Sequence, residues 1–177
     1  MFESRREAGE VLSQKLLKLK GLPAQAGIEN TLVLAVPRGG VVVGKVIADT
    51  LGIPLGVVCA KKIPTPGQPE LAAGAHIVRN KKFGKTPDVE GKTVILVDDG
   101  IATGATVEAA IKYLRGKKVK KLVLAVPVAP KSLVKKLKKL VDEILVLETR
   151  DDFFAVGDFY KDFSQVTDEE VIQLLQI

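Results

Sequence analysis

The chain has 177 residues, 46% of them hydrophobic and 27% charged, a globular mixture long enough for a single domain over residues 1–177 with a sizeable core. The net charge is +6, no apolar run approaches the roughly 20 residues of a membrane span, and the opening MFESRREAGEV lacks the apolar core of a signal peptide, so a cytoplasmic protein with no membrane partner is expected. The single cysteine, Cys59, excludes an internal disulfide and reads as a small core residue of the apolar run PLGVVCA.

Residues 4–19 follow a helical period, with Ala8, Val11, Leu12, Leu16 and Leu19 on one side. TLVLAVP (31–37) reads as a buried strand, VVVGKVIADTLG (41–52) as a helix closed by Gly52, and PLGVVCA (54–60) as the next strand. A segment rich in Lys, Pro and Gly, from Lys61 to about Gly91, reads as loop. TVILV (93–97) is a strand, TVEAAIKYLRG (106–116) a helix ending in Gly, KLVLAVPV (121–128) a strand, SLVKKLKKLV a helix and EILVLET (143–149) a strand. TDEEVIQLLQ (167–176) is a final helix whose Thr167 and Glu170 form a capping box. Apolar strands alternating with helices imply a Rossmann-like α/β fold, a mainly parallel sheet with helices on both faces, whose ligands bind at the carboxyl ends of the strands.

The polar clusters fall at those ends. Arg38-Gly39-Gly40, Lys61-Lys62 and Asp98-Asp99 each follow a strand, which favours one shared site. The lysine runs read as solvated faces: in LVKKLKKLV, Leu133, Val134, Leu137, Leu140 and Val141 form the apolar stripe and the lysines lie opposite. No aromatic interleaving accompanies them, so no nucleic-acid partner is expected, while a small polyanion would be attracted.

VILVDDGIATGATV (94–107) places two acids side by side at a strand end, before a loop of small residues and a helix. Ionised carboxylates only accept hydrogen bonds, so the pair suits vicinal hydroxyls, or a hard cation such as Mg²⁺ held directly or through water. The free amides and the Thr103 and Thr106 hydroxyls at the helix start suit an anion. Two acceptors for a diol beside a cradle for a phosphate describe a sugar phosphate.

This run resembles the signature of the type I phosphoribosyltransferases: four apolar residues, an acidic pair, and Thr-Gly-x-Thr. The resemblance implies that Asp98 and Asp99 meet the ribose hydroxyls of phosphoribosyl pyrophosphate (PRPP), and that Ala102, Thr103, Gly104, Ala105 and Thr106 bind its 5-phosphate. AVPRGG is similar to the family's pyrophosphate loop, which assigns Arg38, Gly39 and Gly40 to the pyrophosphate. In KKIPTPGQPELAAGA (61–75), Lys62 matches a basic residue contacting pyrophosphate, and Glu70 is proposed as an acid/base or orienting group; Arg38, Lys62 and Glu70 are the catalytic candidates. Phe-x-Val-Gly at Phe154, Val156 and Gly157 resembles a base-stacking segment, in which Phe154 would stack on a base and the Ala155 backbone would read its edge. Nearly the whole chain is similar to an uncharacterised bacterial and archaeal group within this family, through Arg5, Arg6, Ala8 and Gly9, PRGGVVV, Pro-Gly-x-Pro-Glu, VDDGIATGAT, AVPVA and AVG with a Thr-Asp-Glu helix.

The hood over the site is expected to be reduced, since only about thirty residues separate the flanking strands. Ala102 replaces the Asp of hypoxanthine-guanine enzymes, and AVPVAP lacks their 6-oxo-reading Lys; both argue against a 6-oxopurine. The lone His76 reads as a surface residue. The resemblance implies a homodimeric, Mg²⁺-dependent enzyme of nucleotide metabolism that transfers phosphoribose from PRPP to a base or amine with release of pyrophosphate. The alternative is a non-catalytic PRPP sensor that binds nucleic acid or a partner protein. A metal-dependent phosphatase lacks the additional Asp, His or Glu set that two metals need.

Overall fold

The computed structural model describes residues 1–20, 22, 30–152 and 154–176, with the side chains of 68–73 outside the description. α1 (Arg5–Leu16) begins at Ser4, whose side chain accepts the Glu7 amide. β1 (Thr31–Ala35), α2 (Gly39–Leu51) and β2 (Leu55–Val57) form the first crossover unit, and Gly52 closes α2 in the left-handed conformation. β3 (Cys59–Thr65) and β4 (Gln68–Val78) follow, then β5 (Thr93–Val97), α3 (Ala105–Gly116) and β6 (Lys121–Pro130). α4 (Lys131–Leu137), β7 (Glu143–Arg150), a short 3₁₀ turn at Val156–Phe159 and α5 (Asp168–Leu175) complete the chain.

Five parallel strands form the main sheet in the order β2-β1-β5-β6-β7. Both faces are buried over β1, β5 and β6, so these strands are almost wholly apolar rather than alternating, while the edge strand β7 is half-buried with polar ends. Leu32, Leu34, Leu96, Leu122 and Leu124 point to the face covered by α3 and α4. Val33, Ile95, Val97, Val123 and Ala125 point to the face covered by α1 and α2. Gly9 lets α1 approach α2 closely, since a Cβ there would sit 2.9 Å from the Val46 Cβ. Cys59 is buried, as its apolar run suggests, and burial pushes its thiol pKa up.

The region read as loop from Lys61 is an antiparallel ribbon, with Cys59 opposite Val78 and Lys62 opposite Ala75. Prolines and lysines mask its strand pattern, and Pro64 is accommodated by register shifts on either side of it. The strand expected over 54–60 is accordingly two: β2 joins the main sheet, and after Val58 the chain turns into the ribbon. Together with the segment leading to β5, this ribbon forms the reduced hood. The helix expected over SLVKKLKKLV stops at Leu137, and Leu140 is exposed. Val11, at the edge of the α1 stripe, is exposed too, while Ala8, Leu12 and Leu16 are fully buried. The capping box at Thr167 and Glu170 forms as the sequence predicts.

Candidate active site

The strand order reverses between the adjacent parallel strands β1 and β5. β1 is followed by a crossover to β2 on one side and β5 by a crossover to β6 on the other, so the loops after them diverge and leave a crevice. Both signature loops start there. Pro37-Arg38 is a cis peptide, and Gly39 begins α2 beside the acid pair. A Cβ on Gly39 would collide with the Asp99 carboxylate and lie 2.7 Å from the Arg5 Nε; one on Gly40 would lie 3.0 Å from the Asp98 Cα. The glycines of PRGG therefore permit the close approach of the two loops.

The acid pair is held from several sides. The Arg5 Nε donates to Asp99 Oδ2 at 2.7 Å, and these two side chains are only 11% and 15% exposed. The same guanidinium donates through Nη1 to the Ser164 carbonyl at 2.8 Å and lies 3.9 Å from the centre of the Phe163 ring. Tyr160 donates its hydroxyl to the Asp99 carbonyl at 2.6 Å, and Asp98 Oδ1 accepts the Asp99 amide at 2.8 Å. Burial, followed by the Asp99 charge, raises the Asp98 pKa well above the carboxylate range. Burial and then Asp99 also push the Tyr160 phenol up, so it stays a donor. Arg5 reaches this position because the N-terminal segment zips onto the chain after the 3₁₀ turn: the Phe2 amide donates to the Phe159 carbonyl and the Lys161 amide to the Phe2 carbonyl.

Beyond the acids, Gly104 ends the small-residue loop at φ 86°, a left-handed conformation suited to glycine, with Leu133 packed where a Cβ would stand. Gly104 brings no capping side chain to the start of α3, where the Ala105 amide makes only a long bond, 3.5 Å, to the Thr103 hydroxyl. Ala102 and Thr103 are exposed, and Ala105 and Thr106 half-buried.

Next to this lies a cation-rich cavity of about 530 Å³, lined by Arg38, Arg79, Lys81, Lys82, Thr106 and Asp168 among others. The Arg38 Nε lies 3.0 Å from Asp168 Oδ1, at the start of α5, and Lys82 pairs with the other oxygen of that carboxylate. The Lys82 hydrogen bond is the main cause that lowers the Asp168 pKa and, reciprocally, raises that of Lys82. From β3, Cys59 and Ala60 line the cavity; Lys61 and Lys62 lie further along the strand, exposed. The Glu70 side chain falls outside the described residues. Phe154 is 87% exposed, and the Ala155 amide and carbonyl both bond to Asp158 within the 3₁₀ turn. Phe159 and Tyr160 instead anchor the segment in a small core with Phe2, Ala8 and Val128.

The crevice thus unites Arg38, Gly39, Gly40, Asp98 and Asp99 with the loop 102–106. Sequence reasoning missed Arg5 and Tyr160 as partners of Asp99, and Arg79, Lys82 and Asp168 as partners or neighbours of Arg38. RNKK after the ribbon and the acid that follows the Thr167 cap were the available signals for the second group.

Residues 8–164 match the model of the phosphoribosyl transferase domain. The chain is 34% identical to a Mycobacterium tuberculosis protein named "Putative phosphoribosyl transferase Rv0571c", over 99% of this chain and 46% of that protein. It therefore spans under half the length of that curated relative. The crystal structure of TT1426 from Thermus thermophilus is similar at a TM-score of 0.78 and 34% identity, covering 98% of this chain and 97% of that one. The purine phosphoribosyltransferase of Pyrococcus horikoshii shares the fold at a TM-score of 0.56 and 20% identity, over 90% of both chains. The signature run 94–107 lies at the crevice between β1 and β5, and the chain belongs to the phosphoribosyl transferase domain family.

Proposed function

We propose that the protein binds PRPP in the crevice between β1 and β5 and transfers phosphoribose to a nitrogenous base or amine, releasing pyrophosphate. One observation carries this reading: at the sheet's switch point the acid pair 98–99, the uncapped start of α3 and Arg38-Gly39-Gly40 converge. A diol, a phosphate and a diphosphate would each find matching chemistry there. Asp98 and Asp99 accept from ribose hydroxyls, the 102–106 loop amides donate to the 5-phosphate, and Arg38 with the amides of Gly39 and Gly40 faces the diphosphate.

The bond from ribose C1 to the diphosphate oxygen breaks as the acceptor nitrogen bonds to C1. Positive charge develops at C1 and negative charge on the leaving group. Catalysis then rests on positioning and on cations aimed at the leaving group, with no covalent nucleophile. Magnesium fits the donor set. Among the described residues no cluster of three His, Cys, Asp or Glu side chains could hold a metal alone, and Mg²⁺ commonly takes one or two carboxylates, waters and substrate phosphates. Asp98 would gain from a dication, since burial and its neighbour's charge oppose its ionisation, whereas Asp99 already faces Arg5. The ion would supply charge neutralisation at the diphosphate. Lys62, exposed on the ribbon, would reach the leaving group only if the ribbon bends over it, and Phe154 offers an open ring face for an acceptor.

The test is pyrophosphate release from PRPP and Mg²⁺ across a panel of bases and amines. Acceptor-dependent release supports transfer. PRPP binding with no release for any acceptor would favour the sensor reading, and a homodimer is checked in parallel by light scattering.

A further inference from the structure

Arg38 faces the crevice, yet its guanidinium is engaged by another part of the chain. Asp168, the first residue of α5, places one carboxylate oxygen 3.0 Å from the Arg38 Nε and the other against the Lys82 ammonium. The three side chains come from three elements: the loop after β1, the segment after the ribbon, and the last helix. All three line the same cavity of about 530 Å³, together with Arg79 and Lys81. Four cations against one acid make this a site for an anion with more than one charge. A single carboxylate bridging two of them sits where phosphate oxygens would bind. Arg38 and Lys82 are 46% and 63% exposed, so the ion pairs are solvated and exchangeable rather than structural.

We propose that Asp168 is a built-in competitor for the diphosphate: its carboxylate bridges Arg38 and Lys82 in the free protein, and a bound diphosphate displaces it and releases the first turn of α5. This rests on the reading of the crevice as a PRPP site, and it adds an affinity-setting residue outside the signature loops. The capping box of Thr167 and Glu170 keeps α5 formed when Asp168 lets go, but its first turn, no longer tied to Arg38 and Lys82, opens more often. The diphosphate could arrive as free pyrophosphate or as part of PRPP, and the two are tested separately.

The experiment is calorimetric titration of the full chain with inorganic pyrophosphate, and separately with PRPP, for wild type, Asp168→Asn and Lys82→Met. Asp168→Asn is expected to bind pyrophosphate about three- to tenfold more tightly, the effect of removing two solvated ion pairs, and Lys82→Met to bind more weakly than wild type. Hydrogen exchange supplies a readout independent of affinity: pyrophosphate should speed exchange in the first turn of α5 in wild type and leave it unchanged in Asp168→Asn. Equal or weaker pyrophosphate binding by a folded Asp168→Asn overturns the proposal, as does pyrophosphate that protects α5 or binds neither protein. The PRPP arm separates the two ideas. Tighter pyrophosphate binding by Asp168→Asn with no PRPP binding keeps the competitor and removes the transferase reading; PRPP binding unaffected by Asp168 does the reverse.

Discussion

The two sides of the crevice are built from opposite materials. On the side of the acid pair, called the ribose side after the proposed ligand, Asp99 meets a guanidinium that is itself only 11% exposed, and the backbone behind it is tied by Tyr160. On the cleft side, Arg38, Lys82 and Asp168 meet in solvent. Buried polar groups with every partner supplied hold one geometry, while exposed ion pairs contribute little and exchange easily. The contrast teaches a difference in stiffness, which under the proposed function becomes a division of labour: acids preorganised for a fixed diol, and cations left free to follow a leaving group.

Substitutions can break that contrast, and the largest effect should come from beneath the ribose side. Leu96 is fully buried in β5, two residues before Asp98, so Leu96→Ala should cost about 2–5 kcal/mol of unfolding free energy in urea titration. Gly39→Ala drives a methyl into the Asp99 carboxylate; an overpacking cost of about 1–3 kcal/mol is expected, with loss of PRPP binding by calorimetry. Tyr160→Phe removes the bond to the Asp99 carbonyl and should cost about 0.5–1.5 kcal/mol. On the cleft side, Lys82→Met should leave the urea midpoint nearly unchanged while still weakening anion binding.

Proton linkage sharpens the comparison, because the two sides have opposite signs. Asp98 titrates above the ordinary carboxylate value, so between the two values the folded state binds more protons than the unfolded one. Its contribution therefore makes the free protein less stable as pH rises through that window. Asp168 titrates below the ordinary value, so its contribution is present above that value and is lost as pH falls toward its own. In thermal melts, the difference between wild type and Asp98→Asn should shrink as pH falls from above the raised Asp98 value toward the ordinary carboxylate value, whereas that for Asp168→Asn should change only below the ordinary value.

The sequence made the ribose side more legible than the cleft side, for a physical reason. TVILV is a buried parallel strand with no polar interruption, and its bounds are those of β5. The acid pair and Gly104 stand in one short run whose chemistry is local, as is that of the capping box at Thr167. Arg5 was visible as a residue but not as a partner, because it meets Asp99 across 94 positions of sequence through a zipped N-terminal segment. Asp168 reads locally as an ordinary first-turn acid, and only tertiary packing brings it to Arg38. The ribbon was hidden because proline and lysine in an exposed two-stranded sheet carry no alternation to detect.

The most direct test of the central claim is calorimetric titration of PRPP with Mg²⁺ into wild type and into Asp98→Asn/Asp99→Asn, with circular dichroism to confirm that both are folded. Saturable binding by wild type and none by the double variant is the predicted result. Absence of wild-type binding at millimolar PRPP, or equal binding by the two proteins, would contradict a ribose-phosphate site at the acid pair.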